Sequence, residues 1–250
     1  MMQVIKIGGN ELDELAFRQG LATAVAAAGA PVVIVHGGGK AIAEMQQRLG
    51  LRPLQVDGVR VTDAASLDVA QMVLSGHANK LLVSALLAAG VEAMGISGVD
   101  GGLLRCQKKL HPTVDLGYVG EIVQVNTRIL HHLLAAGVTP VVSPISLGLV
   151  DGQIYNVNAD DAAEAVARAL RADVLTFVSN VPGVLDQHGE IIAALTAGQT
   201  ADLIHSGVIH GGMIPKVQAA LAVVAQGIPQ ARIVNLAGLA RQGGTVFHAC

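Results

Sequence analysis

The chain has 250 residues, a length that suits one large α/β domain or two lobes that share one sheet. Its net charge of -3, without any run of like charges, gives no general attraction to nucleic acid or to an anionic membrane. The two cysteines, Cys106 and Cys250, are too few for a disulfide framework, so we expect unpaired thiols in a reducing compartment.

Short β-branched runs alternate with longer stretches of helical periodicity along the chain. The hydrophobic fraction is 52% and the aromatic fraction only 2%, which predicts a core of Val, Leu, Ile and Ala around strands buried on both faces. The alternation predicts a parallel sheet with right-handed crossovers. The predicted strands are 3–7, 31–36, 91–97, 139–145, 174–179 and 231–236. The predicted helices are 11–28, 40–49, one or two within 63–89, 126–136, 159–170, 198–205 and 212–227, and residues 103–124 are predicted to form a β-hairpin.

The N-terminal residues and the apolar stretches indicate neither export nor a membrane span. The chain passes from Met1 directly into an apolar strand, without a basic region, a long apolar region or a cleavage site. Its alanine-rich stretches are shorter than the ~18 apolar residues that a transmembrane helix needs. We therefore expect a cytoplasmic protein.

The stretch VVIVHGGGKAIAEM contains three glycines between a predicted strand and a predicted helix. It is not a P-loop, because Ile34 occupies the position of the first glycine and Ala41 that of the Ser or Thr. It also lacks the spacing of the dinucleotide-binding fingerprint. Glycines at such a turn allow backbone amides to approach an anion at a helix N-terminus. A tight packing turn explains this stretch alone equally well.

A second glycine turn favours the anion site. VIKIGGN repeats the pattern of strand, glycines and helix, and turns that follow neighbouring parallel strands meet at one edge of a sheet. Lys6 lies within the first strand, where a buried ammonium group is costly unless it reaches an anion or another partner. A lysine that snorkels at the sheet end is the alternative.

Two further stretches carry charged residues beside helix starts. In YNVNADDAAEAV, polar residues alternate before an alanine-rich helix, and a carboxylate there could hold nearby lysine ammonium groups in place. The alternative is that Asp160 or Asp161 is an ordinary N-cap. In GGMIPKVQAAL, Lys216 lies near a helix N-terminus, where a nearby phosphate would offset the unfavourable helix dipole. A solvated surface lysine is the alternative for Lys216.

Two loops complete the set of candidates. Arg60 lies in a short apolar run and is suited to bidentate capture of a carboxylate, although an ion pair with Asp57 or Asp63 is the alternative. Pro182 and Gly183 follow a predicted buried strand, which fits a nucleotide loop and fits a plain turn nearly as well. The sequence contains no GxSxG or HExxH motif and no Cys/His set with zinc spacing, so hydrolases of those kinds are not indicated.

Taken together, the motifs resemble those of the N-acetylglutamate kinases within the amino-acid kinase family. The matching segments run in order from residue 4 to about 220, and they include IKIGGN, VIVHGGGK, DGVRVT, GHANK, GISGVDGG, DLGYVGEIVQVN, NVNADDAA, SNVPGVL and GGMIPKVQAAL. The resemblance implies a three-layer α/β/α sandwich with a mainly parallel, open eight-stranded sheet. It implies a lobe at residues 1–172 that binds acetylglutamate and dimerises, and a lobe at 173–250 that binds ATP, on one continuous sheet.

The resemblance also implies an activity and the residues that carry it. The activity is ATP-dependent phosphorylation of the γ-carboxylate of N-acetyl-L-glutamate, the second step of arginine biosynthesis, by a homodimer. Lys6 and Lys216 would stabilise the transferring phosphoryl group, and Asp160 would orient both lysines. Acetylglutamate would be held by Gly38, Gly39, Arg60 and Asn156. Phosphate or nucleotide would be contacted by Gly8, Gly9, Gly38, Asn180, Val181, Pro182, Gly183, Val184, Leu185, Val208, Ile209 and His210. Because the sequence shows no carboxylate cluster dedicated to Mg²⁺, the phosphates and water would supply most of its ligands.

Two departures from the family pattern and two rival functions remain. Val99 occupies a position where many relatives carry lysine, so we expect a changed loop with activity retained. The first strand begins at about residue 3, without the extra N-terminal helix of arginine-inhibited relatives, so we expect an arginine-insensitive homodimer.

The rivals are a kinase for carrier-bound aminoadipate or glutamate in lysine biosynthesis, and a non-catalytic nucleotide-binding member of the fold.

Overall fold

The computed structural model describes residues 1–9, 11–56 and 59–249, and the side chains of residues 59 and 60 lie outside the description. Cys250 and Asp57, which the sequence predictions involve, therefore fall outside the described residues. Among the residues described, no helix has both the length and the apolar character needed to cross a bilayer.

The strands form one large sheet and two small ones. The strands of the large sheet are β1 Gln3–Ile7, β2 Val32–His36, β5 Ala93–Ser97, β8 Thr139–Ser143, β11 Val174–Val178, β12 Ala194–Leu195, β13 Gln230–Val234 and β14 Thr245–His248. Their spatial order is β12-β14-β13-β11-β1-β2-β8-β5, and only the β13–β14 pair is antiparallel. A four-stranded sheet contains β6 Leu104–Lys108, β7 Gly120–Val125, β9 Ile145–Gly148 and β10 Ile154–Asn156, and a hairpin contains β3 Leu54–Val56 and β4 Val59–Val61.

Helices cover both faces of the large sheet. They are α1 Leu15–Ala26, α2 Gly39–Arg48, α3 Ala64–Gln71, α4 Asn79–Ala88, α5 Arg128–Ala135, α6 Ala159–Leu170, α7 Ala197–His205, α8 Met213–Ala225 and α9 Leu236–Ala240, with a π-helical segment at Met72–Ala78 between α3 and α4. One core contains buried residues of α5, α6 and α8, and a second contains buried residues of α1, α4 and α9. A smaller third core joins α2, α3 and the π-helical segment. The predicted three-layer α/β/α architecture with a mainly parallel sheet is therefore confirmed.

Alternation along β1 decides which residues enter which core. Val4 belongs to the core on the α6 side, whereas Ile5 and Ile7 belong to the core on the α1 side. Since successive side chains of a strand point to opposite faces, Lys6 faces the α6 side together with Val4.

Several predicted boundaries were wrong for local reasons. The helix predicted at 11–28 begins at Leu15, after an extended Glu14. The strand predicted at 139–145 divides at Pro144, which lies between β8 and β9 and lacks the backbone N–H of a ladder donor. The hairpin predicted at 103–124 is confirmed as the antiparallel pair β6–β7, and it is part of the four-stranded sheet.

Candidate active site

The carboxyl ends of three neighbouring parallel strands bring the predicted residues together. In the register of the large sheet, Ile7 of β1 pairs with His36 of β2 on one side and with Val178 of β11 on the other. The residues that follow are therefore side by side at one edge, where open α/β sheets bind ligands. The turn after β2 is tied to β1 directly, because the Gly37 N–H donates to the Ile7 carbonyl at 3.0 Å.

The two glycine turns pack against each other without room for side chains. A Cβ atom at Gly9 would lie 2.5 Å from the Cα and N of Gly38 and from the N of Gly39. A Cβ atom at Gly38 would lie 2.7 Å from Cδ2 of Leu74 in the π-helical segment. Backbone therefore lines this region because no larger residue fits.

A first cavity of about 300 Å³ lies against these turns. Its walls come from the ends of β1 and β2, from the start of α2 and α6, and from β7 and β10. Lining residues include Lys6, Gly8, Gly9, Gly37, Gly38, Gly39, Ile42, Gln55, Leu74, Lys109, Gly120, Pro144, Asn156, Asn158 and Asp161. Five residues predicted to hold substrate or phosphate line it together, namely Gly8, Gly9, Gly38, Gly39 and Asn156.

A second cavity of about 470 Å³ lies on the other side of Lys6. It is lined by Lys6, Gly8, Glu11, Asp160, Phe177, Val178, Ser179, Asn180, Pro215, Lys216, Ala219 and Ile233. Because Lys6 and Gly8 line both cavities, one ammonium group reaches both spaces. This arrangement suits transfer of a charged group from a ligand in one cavity to a ligand in the other.

Lys6 forms an ion pair with Asp160 at 2.8 Å, between Nζ and Oδ1. The side chain of Lys6 is 16% exposed, so the ammonium group is largely withdrawn from water but retains access to the cavities. Neither Asp160 nor Asp161 is the N-cap of α6. The cap is Asn158, whose Oδ1 accepts a hydrogen bond from the Asp160 N–H at 3.0 Å. This cap leaves the Asp160 carboxylate available to hold Lys6.

Lys216 approaches the second cavity from the first turn of α8, and neutral oxygens hold it. Its Nζ donates to Ser179 Oγ at 2.6 Å and to Asn180 Oδ1 at 3.1 Å. Burial lowers the pKa of Lys216, the charge of Glu11 raises it, and the charge of Lys6 lowers it. Asp160 contacts Lys6 directly. That Asp160 also orients Lys216 stays a prediction.

Asn156 and Arg60 belong to the region around the first cavity. The Asn156 amide nitrogen donates to Thr62 Oγ1 at 3.3 Å, and its backbone N–H donates to the Tyr118 carbonyl at 2.9 Å. Arg60 lies on β4 opposite Gln55, which lines the first cavity, but its side chain is outside the described residues. Asp63, one of the ion-pair partners considered for it, caps α3 by accepting from the Ser66 N–H, which lowers the pKa of Asp63.

Of the two predicted nucleotide loops, the one at 180–185 reaches the second cavity through Asn180, and the one at 208–210 precedes α8. Asn180 lines the cavity. Val184 and Ile209 are buried core residues, so only their backbone is available to a ligand. Gly183 has φ +155 and packs against Thr245, whose hydroxyl accepts from the Val184 N–H at 2.8 Å. His210 Nδ1 lies near the carbonyls of its own turn. The remaining members of the two loops, for which nucleotide contact stays a prediction, are Val181, Pro182, Leu185 and Val208.

The motifs did not identify Ser179, Lys109 and Asp161. Ser179 directly follows β11, so its position at a carboxyl strand end was a usable signal. Lys109 Nζ lies 3.8 Å from Asp161 Oδ2, and both residues line the first cavity. Burial raises the pKa of Asp161, Lys109 lowers it, and Asp160 raises it. The pairing of Lys109 with Asp161 depends on the β6–β7 hairpin reaching over α6, which local sequence does not reveal.

The site does not offer a ready-made metal cage. Within the described part of the chain, no group of three or more His, Cys, Asp or Glu residues is placed to hold a metal ion. Glu11 and Asp160 contribute carboxylates to the second cavity, which are the hard oxygen ligands that Mg²⁺ prefers.

Known proteins resemble this chain in sequence and in fold. The family described as the amino acid kinase family matches residues 1–235. An acetylglutamate kinase of Chloroflexus aurantiacus is 52% identical over 98% of this chain and 96% of its own length. The acetylglutamate kinase of Methanopyrus kandleri is 44% identical over 99% of this chain and 100% of its own length. The crystal structure of smu.665 from Streptococcus mutans superposes with a TM-score of 0.80 at 31% identity, covering 99% of this chain and 98% of that one. The chain belongs to the amino acid kinase family.

Proposed function

We propose that the protein transfers the γ-phosphoryl group of ATP to the γ-carboxylate of N-acetyl-L-glutamate, in arginine biosynthesis. The products are N-acetyl-L-glutamyl 5-phosphate and ADP. The observation that carries this proposal is the pair of cavities that share Lys6 and Gly8, with Lys216 at the far side of the second. The names of relatives at 44–52% identity over nearly the whole chain support the choice of substrate.

The reaction needs positioning and charge neutralisation more than it needs a base. The acceptor carboxylate is ionised at neutral pH, so one of its oxygens attacks the γ-phosphorus with no proton to remove. The bond between the γ-phosphorus and the bridging oxygen breaks, and ADP leaves with that electron pair. Two anions must be brought together in line, so preorganised cations and N–H donors supply the main stabilisation.

The residues divide these tasks by position. The first cavity, walled by the glycine turns and Asn156, would hold the acceptor, and the second would hold the nucleotide phosphates. Lys6, held by Asp160 between the cavities, would neutralise charge on the phosphoryl group during transfer. Lys216 would do so from the nucleotide side, and Gly8 and Gly9 would offer backbone N–H groups.

Mg²⁺ fits the second cavity as a companion of ATP. The protein would provide at most the Glu11 and Asp160 carboxylates there, with phosphate oxygens and water completing the shell. When bound, the ion would neutralise charge on the nucleotide phosphates.

The division into lobes and the assembly follow the same proposal. Residues 1–172 would bind acetylglutamate and dimerise, and residues 173–250 would bind ATP, in a cytoplasmic homodimer. Exposed apolar side chains support a contact at the β5 end of the large sheet: Met72 is 57% exposed, Leu87 49% and Met94 47%. A sedimentation or light-scattering mass equal to one chain would contradict the dimer.

A coupled assay of ADP release tests the activity directly. Purified protein with MgATP is offered N-acetyl-L-glutamate, L-glutamate, L-aspartate and carbamate in parallel, and hydroxylamine traps any acyl phosphate as a hydroxamate. We expect ADP and hydroxamate in equal amounts with N-acetyl-L-glutamate and far less with the others.

The rival functions predict other results in that assay. A kinase for a carrier-bound amino acid would turn over only the carrier-bound substrate, and a non-catalytic nucleotide-binding protein would bind ATP and release no ADP. Either result would overturn the proposal.

A further inference from the structure

A buried histidine joins the glycine turn of the first cavity to the interior. His36 is the last residue of β2, and its side chain is completely buried. Its Nδ1 lies 2.9 Å from the carbonyl oxygen of Gly37, the next residue, and its Nε2 lies 3.1 Å from the amide nitrogen of Asn79. Neither His36 nor Asn79 lines the cavity, so any effect on a ligand must pass through the turn.

The hydrogen-bond partners of Asn79 determine which ring nitrogen of His36 carries the proton. The Asn79 amide nitrogen also donates to the Val141 carbonyl at 2.9 Å, and its Oδ1 accepts from Lys80 Nζ at 3.0 Å. If the Asn79 amide were flipped, its oxygen would face the Val141 carbonyl and its nitrogen would face the Lys80 ammonium group. Neither contact is a hydrogen bond, so the orientation of the amide is fixed. His36 Nε2 must then accept, and the ring proton resides on Nδ1 and is donated to Gly37. Burial also lowers the pKa of His36 to about 4, which keeps the ring neutral.

Strand β5, at the edge of the large sheet, leaves space for this network. A Cβ atom at Gly95 of β5 would overlap Asn79 Oδ1 and lie 2.8 Å from Lys80 Nζ. The Gly95 carbonyl also accepts a hydrogen bond from Lys80 Nζ at 3.0 Å. The network therefore extends from β5 through α4 to the end of β2, with each polar atom of Asn79 and His36 paired.

The peptide between Gly37 and Gly38 is the target of this network. In a trans peptide the carbonyl and the following N–H point in opposite directions. A Gly37 carbonyl held toward His36 turns the Gly38 N–H away from the interior, toward the side where Gly9 and the first cavity lie. Without that hydrogen bond a peptide flanked by glycines can rotate at low cost.

We propose that His36, fixed by Asn79, is a positioning residue that aims the Gly38 N–H at the carboxylate of the acceptor in the first cavity. This inference rests on the proposed function for the identity of the acceptor. The alternative is that His36 only fills space. In that case a substitution that keeps the hydrogen bond to Gly37 would do no better than one that removes it.

Kinetics of two variants separate these roles. His36→Asn keeps a donor near the position of Nδ1, whereas His36→Leu removes both polar atoms. We expect His36→Leu to raise the KM for the acceptor about tenfold, as expected for one misdirected hydrogen bond with its desolvation cost. The Kd for ATP should stay unchanged, and His36→Asn should recover most of the loss. Thr200→Val, which removes a fully buried hydroxyl of α7 that lines neither cavity, is the control and should leave the acceptor KM unchanged. Equal losses in both His36 variants, or an equal loss of ATP affinity, would overturn the proposal.

Nitrogen NMR of the wild-type protein gives a test that needs no folded variant of His36. We expect the ring to carry its proton on Nδ1, and the Gly38 amide resonance to shift when the acceptor is added. A proton on Nε2, or a Gly38 amide unmoved by a saturating acceptor, would overturn the proposal. Failure of the proposed function would show separately, as wild-type protein that phosphorylates none of the acceptors. The variants are compared with whichever acceptor the wild type uses.

Discussion

The two cavities on either side of Lys6 differ in the groups that line them. One wall of the first cavity is backbone: its two glycine turns leave no room for a side chain at Gly9, and a buried hydrogen-bond network holds the end of β2. The second is lined by side chains that reach in from α8 and from the end of β11, and its key lysine is held by Ser179 and Asn180. It is also the larger, about 470 Å³ against about 300 Å³.

This difference teaches how recognition and transfer are divided. Backbone wedged between packed elements has few alternative conformations, so it suits a small acceptor whose carboxylate must be aligned closely. A lysine on a flexible stem, held by neutral oxygens, can follow a phosphoryl group as charge moves during the reaction. Substitutions in the two regions should therefore fail in different ways.

The largest effect is expected from Lys216→Ala in the second cavity. Loss of one preorganised donor to a transition-state anion costs about 3 kcal/mol or more, so kcat should fall at least about a hundredfold. Folding should be little affected, because Lys216 bonds only at the cavity edge. Gln218→Ala, an exposed change on the same helix, is the control. The measurement is steady-state ADP release beside a thermal melt. A normal kcat would remove Lys216 from the mechanism.

An acid-dependent loss of stability is expected from His36, on the side of the first cavity. A pKa lowered from 6.5 to about 4 means that the unfolded chain takes up this proton well before the folded chain does. The free energy of unfolding should therefore fall as the pH drops from about 6.5 to about 4, by about 3 kcal/mol at most from this group. Urea denaturation across that range measures it.

The matched variant for this prediction is His36→Asn, which has no ring to titrate. Its loss of stability over the same pH range should be smaller by the His36 contribution, while all other groups titrate as before. Parallel curves for the two proteins would show that the buried ring does not resist protonation.

A smaller effect, on packing, is expected from Gly9→Ala. Its methyl group would meet the backbone of Gly38 and Gly39, which cannot give way as a flexible side chain does. Overpacking of this kind typically costs about 1–3 kcal/mol, and the turns should separate enough to raise the acceptor KM. Gly198→Ala, where nothing lies within 4 Å of the new methyl group, is the control. If both variants melt and turn over like the wild type, the contact between the turns is not tight.

The sequence predicted the layers and the edge where the site lies for a simple physical reason. Strand–helix alternation specifies a parallel sheet, and the residues just after its strands must meet at one edge. Gly9 and Gly38 were found in this way, because each follows a strand. Lys6 was found as a charged residue within a predicted buried strand, and Asn156 through the polar alternation before α6 and the family resemblance.

What the sequence did not reveal depends on pairs far apart in the chain. Lys109 meets Asp161 only because the β6–β7 hairpin extends over α6, and His36 meets Asn79 only because α4 packs on β5 and β8, of which β8 lies next to β2. The N-cap of α6 was also assigned wrongly: Asp160 and Asn158 are both good caps, and only the partner Lys6 decides which one is free to cap.

The pH dependence of kcat/KM gives the finest test of the second cavity, because it reports the ionisation of groups in the free enzyme. Burial and the charge of Lys6 lower the pKa of Lys216, while the charge of Glu11 raises it. The protonated form is the one that stabilises the phosphoryl group, so activity should decline at a pH below the ordinary range for lysine as the proton is lost. Lys216→Arg should move this decline upward, since a guanidinium stays protonated. Glu11→Gln should move it downward, since the charge that favours the ammonium form is gone. A decline that neither variant shifts would belong to another group and would contradict the assignment to Lys216.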